Sequence, residues 1–146
     1  GYYDYEQGLK CAKSQNKPVF IDFSGHGCVN CRKMEENVWN EPEVLKRLKN
    51  DYIVIQLYTD DRTELPEEEW TPGEESYDGR VKKELGEKWG DMQIRRFGRN
   101  SQPQYVLLGP DGEKLIKETR GFDLDVEAYV EFLDNGKKAF EEKFKK

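Results

Sequence analysis

Two cysteines three positions apart, in Cys28-Val29-Asn30-Cys31, are the strongest chemical signal in the chain. On a helix that spacing sets two sulfurs one turn apart, the separation a reversible disulfide at a helix start requires. Unpaired N–H groups and partial positive charge at the helix start favour a thiolate, so Cys28 is expected to be the exposed, attacking sulfur. Cys31, tucked behind it, would resolve the mixed disulfide. Zinc is the competing chemistry, because C-x-x-C is also half of many structural zinc sites. The other candidate ligands are Cys11 and His26, and His26 precedes Cys28 too closely for easy joint ligation. Redox use, with no metal, is the expectation.

Two carboxylates fall where the surrounding pattern is apolar. Asp22 interrupts Val19-Phe20-Ile21-Asp22-Phe23, on the face of Phe20 and six residues before Cys28. Glu35 lies on the stripe that Cys31, Met34 and Val38 form at helical spacing. Burial would raise both pKa values and suit them to exchange protons with Cys31. The plainer alternatives are a partly solvated or hydrogen-bonded Asp22 and a Glu35 that merely rims the stripe. His26 either tunes Cys28 electrostatically or is a solvated loop histidine. Cys11, on the first helix, reads as a buried, inert thiol.

The elements needed to position these groups are legible around them. Asp4 caps a helix running to about Ser14. Pro18 opens a central strand, buried on both faces, that ends before Gly25 and Gly27. A helix from Cys28 is interrupted at Asn40-Glu41-Pro42 and resumes to about Asn50, a kinked or two-part element. Tyr52 to Tyr58 is a second strand, expected to lie parallel to the first. An acidic surface insertion from Thr59 to Gly79 follows, with Trp70 and Tyr77 as candidate anchors. Beyond it the pattern predicts a helix over Arg80 to Trp89 and an irregular stretch to Ser101. Tyr105 to Leu108 and Lys114 to Lys117, around Gly109-Pro110-Asp111-Gly112, predict an antiparallel hairpin. Val126, Val130, Leu133, Phe140 and Phe144 mark a C-terminal helix with Gly136 as its weak point.

At 146 residues the chain suits a single domain over 1–146. Charged residues make up 37% and mean hydropathy is -1.01, yet 12% aromatic content and compact apolar runs exclude a disordered chain. A net charge of -6 opposes nucleic acid or an anionic membrane as partner. No apolar run approaches a spanning helix, and no leader is legible, so targeting signals leave localisation open. Three cysteines are too few for a disulfide-stapled scaffold.

Lys17-Pro18-Val19-Phe20-Ile21-Asp22-Phe23, Cys28-Val29-Asn30-Cys31 and Ser101-Gln102-Pro103-Gln104-Tyr105-Val106, in that order, resemble the thioredoxin superfamily. Within it, Gly27 to Glu35, the acidic insertion and Asn100 to Pro103 are similar to the C-terminal periplasmic domain of DsbD-type thiol:disulfide interchange proteins. The resemblance implies an α/β fold, a central mixed sheet flanked by helices. It implies that Pro103 is a cis-proline beside the disulfide, although alone it reads as an ordinary loop-to-strand proline. It further implies that the Gln102 backbone pairs with a substrate strand, and that Asp22 and Glu35 match acidic residues near the family's active site. No cofactor is implied beyond the redox-active disulfide. The implied partners of this monomeric domain are protein thiols and disulfides: a membrane-embedded electron donor domain and periplasmic clients. Gly27 stands where many relatives carry Trp, and His26 beside it becomes a candidate rim residue for substrate. The motif fixes the chemistry and leaves the direction of electron flow open. A freestanding thioredoxin-like reductase, for cytochrome maturation or stress repair, and a non-catalytic peptide-binding module are the alternatives.

Overall fold

The computed structural model describes residues 1–145. Its frame is a three-stranded sheet in the order β2-β1-β3, built from β1 (Val19–Ser24), β2 (Ile53–Tyr58) and β3 (Gln104–Leu108). β1 pairs parallel with β2 and antiparallel with β3, so Asp22 faces Gln56 on one side and Tyr105 on the other. The sheet is mixed, as expected, with β1 at its centre.

All six residues of β1 are buried, which explains their nearly continuous apolar run. Val19, Ile21 and Phe23 join Tyr5, Leu9, Trp89 and Met92 in one cluster under α1 (Tyr5–Gln15) and α4 (Leu85–Phe97). Phe20 points the other way, into Met34, Val44, Leu48, Tyr129 and Leu133 of α2 (Val29–Met34), α3 (Pro42–Asp51) and α5 (Val126–Phe144). Helices thus cover both faces of the sheet. Each large apolar side chain taken from water contributes about 1.5–3 kcal/mol, so burial anchors β1 firmly at the centre of the sheet.

The interrupted helix is real. A π-helical turn, Glu35–Trp39, separates α2 from α3, and Pro42 opens α3 at its first position, where a missing N–H costs nothing. Asp4 caps α1 by accepting the Gln7 N–H at 2.9 Å.

Three expectations need correction. The helix predicted over Arg80 to Trp89 begins at Leu85 and continues to Phe97. Residues before it are held extended by the bridges Thr71↔Lys82 and Glu64↔Glu84. A reciprocal box between Glu84 and Glu87 starts the helix, and Gly98, at φ 71°, ends it. The predicted hairpin keeps its first strand only. The returning chain makes one bridge, Leu108↔Lys114, before Arg120 bridges Tyr105. Gly136, finally, is no weak point. α5 runs unbroken through it, and a Cβ there would lie 2.6 Å from the Tyr52 hydroxyl, so glycine permits close packing of α5.

The stretch from Thr59 to Gly79 is ordered by local contacts. Trp70 Nε1 donates to the Leu65 carbonyl at 2.9 Å, and buried Asp91 of α4 accepts the Tyr77 N–H at 2.8 Å. The Tyr77 ring itself is exposed.

Candidate active site

Cys28 and Cys31 form a disulfide at the end of the loop that leaves β1. Cys28 is the N-cap of α2, in extended conformation, and its Sγ accepts the Cys31 N–H at 3.2 Å. Cys31 is 1% exposed, whereas Cys28 is half-buried beside the exposed residues Gly27, Val29 and Asn30. One sulfur is therefore reachable and the other enclosed, in the order expected from sequence.

Asp22 lies inside the protein, 1% exposed, below this loop on β1. Burial pushes its carboxyl up to about 7. A hydrogen bond from Gln56 Nε2 to Oδ2, at 3.3 Å, works against that shift, nearby Glu35 adds to it, and Arg32 opposes it. Oδ1 has no hydrogen-bond partner among the described residues. An acid with this setting changes protonation near neutral pH.

Glu35 differs from expectation. Its side chain is 30% exposed and pairs with Arg32 of α2, three residues earlier, at 2.9 Å. The pairing holds Glu35 at the rim, where it acts on Asp22 through space. Arg32 also donates to Ser24 Oγ at 3.2 Å, tying α2 back to the end of β1. Sequence inspection missed Arg32, because an arginine after a C-x-x-C reads as a solvated helix residue.

The Gln102–Pro103 peptide is cis. Two buried glutamines hold this segment. Gln93 Nε2 donates to Gln104 Oε1 and to the Ser101 carbonyl, both at 2.9 Å, and Gln93 Oε1 accepts Gln102 Nε2 at 2.9 Å. The Gln102 backbone makes no backbone hydrogen bond among the described residues.

His26 is exposed, and its ring stacks on Tyr58 with centroids 3.9 Å apart and planes 4° apart. Cys11 lies away from the pair on α1, half-buried rather than buried, within 3.2 Å of Gln15 Nε2. Among the described residues, no group of three or more His, Cys, Asp or Glu could hold a metal ion.

A family model described as a thioredoxin-like domain matches residues 5–137. The chain belongs to that family. The thiol:disulfide interchange protein DsbD of Pseudomonas fluorescens is 24% identical to it over 128 residues, 88% of this chain and 18% of that protein. DsbD of Vibrio vulnificus is 34% identical over 53 residues, 36% of this chain and 9% of that protein. The chain spans less than a fifth of the length of these curated relatives. Among solved structures, a DsbH oxidoreductase aligns with TM-score 0.66 and 18% identity, over 94% of this chain and 84% of that one. The reduced C-terminal domain of Neisseria meningitidis DsbD aligns with TM-score 0.61 and 14% identity, over 90% and 92%. At those identities the structural likeness speaks for the fold. This thioredoxin-like domain therefore carries a C-x-x-C disulfide, the equipment of a thiol–disulfide oxidoreductase.

Proposed function

We propose that this domain is a protein-disulfide reductase that takes electrons from a membrane-embedded donor domain and passes them to client disulfides in the periplasm. The observation that carries the reading is the pairing of a reachable Cys28 with an enclosed Cys31 at the start of α2. The likeness to DsbD proteins supports the direction of flow and the compartment.

In the reduced protein the Cys28 thiolate attacks one sulfur of a client disulfide. A bond forms between Cys28 and that sulfur, the client bond breaks, and the second client sulfur leaves as a thiolate. Cys31, once deprotonated, attacks Cys28 Sγ, closes the Cys28–Cys31 bond and releases the first client sulfur. Two electrons pass to the client, and the protons of the two thiols end on the client's. The Cys31 N–H, which already points at Cys28 Sγ, stabilises charge there. Asp22, with a pKa near neutral, is the group suited to take the Cys31 proton. Glu35 and Arg32 set the field around Asp22. In this reading, as the family resemblance implies, the Gln102 backbone, which has no backbone partner among the described residues, and the cis Pro103 receive an extended client segment, with the exposed His26 as a further contact.

The test is reduction of insulin disulfides by the pre-reduced domain. Wild type is expected to reduce one insulin disulfide per molecule, Cys28→Ser to be inert, and Cys31→Ser to accumulate a mixed disulfide with insulin through Cys28. An inactive wild type, or a trapped species linked through Cys31 in Cys28→Ser, would sink the proposed roles.

A further inference from the structure

The loop before Cys28 makes unusual use of its backbone. His26 and Gly27 are exposed, so water could satisfy their N–H groups. Instead the His26 N–H donates to Asp60 Oδ1 at 2.9 Å and the Gly27 N–H to Asp60 Oδ2 at 3.0 Å. The next N–H, of Cys28, closes a turn onto the Gly25 carbonyl at 3.3 Å. One carboxylate thus receives two successive amides and fixes the turn that delivers the attacking sulfur.

Asp60 is itself held. Thr59, its neighbour, donates through its N–H to the Ser24 carbonyl at 2.9 Å, joining the ends of β1 and β2. On the other side Gly86 of α4 donates to the Asp61 carbonyl at 2.8 Å. A Cβ on Gly86 would lie 2.6 Å from that oxygen, so glycine is what lets α4 support the Asp60 loop. The stack of His26 on Tyr58 ties the loop to the end of β2 as well. The carboxylate is also near the sulfur pair: a Cβ built on Gly25 would be 3.3 Å from Asp60 Oδ2 and 3.4 Å from Cys28 Cβ.

We propose that Asp60 is a positioning residue for the exchange reaction, gripping the backbone of His26 and Gly27 so that Cys28 meets a client disulfide in line, while its charge opposes the Cys28 thiolate. Partial desolvation by its neighbours works against the exposed Asp60 carboxylate, but the Gly27 and His26 N–H groups outweigh it and hold its pKa below the usual range, so the grip persists at neutral pH. The other titratable groups of this region are Asp61 and His26, which share the field of Asp60, and Asp22, Arg32, Glu35 and Tyr58, which act on one another. The proposal rests on the exchange chemistry proposed above.

Asp60→Asn removes the charge and turns an amide NH2 toward one of the two N–H donors. Two quantities are read on the reduced protein: the pH midpoint for alkylation of Cys28, and the rate of insulin reduction per Cys28 thiolate. The midpoint is expected to fall, and the rate per thiolate to drop about tenfold. Exchange with a small aromatic disulfide should change little per thiolate, since that reagent needs no docking. If either the midpoint or the insulin rate is unaltered in Asp60→Asn, the proposal fails, even though active wild type would leave the reductase reading intact. Should the variant not fold, amide hydrogen exchange in wild type decides. Protection of the His26 and Gly27 amides by more than about tenfold over an open chain supports the grip, and unprotected exchange overturns it.

Discussion

Asp22 and Asp60 both attend the loop that carries Cys28, and they are the same residue in opposite surroundings. Asp22 sits in the middle of β1, 1% exposed, with one oxygen unpaired and a pKa pushed up to about 7. Asp60 lies just past the end of β2, exposed, with each oxygen accepting a backbone N–H and its pKa held low. Burial with a single donor raises the pKa of Asp22 toward neutral, the property the proposed proton transfer needs, whereas donors aimed at both oxygens keep Asp60 an anion that organises backbone. Chemical role here follows from hydrogen-bond supply rather than residue type.

The largest expected effect that probes this contrast is on stability. Asp22 titrates at its ordinary value of 3.8 when unfolded and at about 7 when folded. Below the unfolded pKa it is protonated in both states. As pH rises from about 4 to 7 the unfolded state loses its proton first, and the fold loses stability until both states are ionised. At about 1.4 kcal/mol for each pH unit, the displacement caps that loss at about 4 kcal/mol. Oxidised Asp22→Asn should therefore gain stability over wild type as pH rises through this window and level off above it. Chemical denaturation across pH measures the difference, and a pH-independent gap would remove the basis for calling Asp22 a proton carrier.

How much of this contrast could be read in advance depends on whether local pattern or distant contact decides it. Cys28, Cys31 and Asp22 stood out because each sits in or beside the apolar run of β1, whose burial is written in consecutive residues. Asp60 did not, since a carboxylate after a strand reads as surface, and its partners lie more than thirty positions earlier. Glu35 was misplaced to the interior because its helical face is apolar, while the Arg32 that draws it to the rim carries no periodic signal. The same division holds for the fold. β1, β2 and α1 follow local spacing. The start of α4 does not, because Lys82 and Glu84 are captured by Thr71 and Glu64 across the acidic segment. Likewise, Lys114 to Lys117 has strand-like residues, but Leu115 and Ile116 pack against the α5 side of the core instead of extending the sheet.

A smaller effect is expected at Glu35. Its charge raises the Asp22 pKa through space, and it is part-exposed, so solvent screening limits the influence. Glu35→Gln should lower the Asp22 midpoint, followed through the carboxyl carbon resonance of Asp22, by a fraction of a pH unit. The change should also free Arg32, whose charge pushes the same way. An unmoved midpoint would mean that Glu35 does no more than anchor Arg32.

Arg32→Met carries the smallest effect and the opposite sign. Arg32 lowers the Asp22 pKa, but less than Gln56 lowers it or Glu35 raises it, and its side chain is 38% exposed. Removing it should raise the Asp22 midpoint slightly, and the released Glu35 carboxylate would reinforce the rise. Generic loosening of the site would admit water around Asp22 and pull both variants downward, toward the ordinary carboxylate value. Opposite displacements in Glu35→Gln and Arg32→Met therefore separate a field effect of an ion pair from simple damage to packing. Displacement of both midpoints downward would place the control of Asp22 in burial alone.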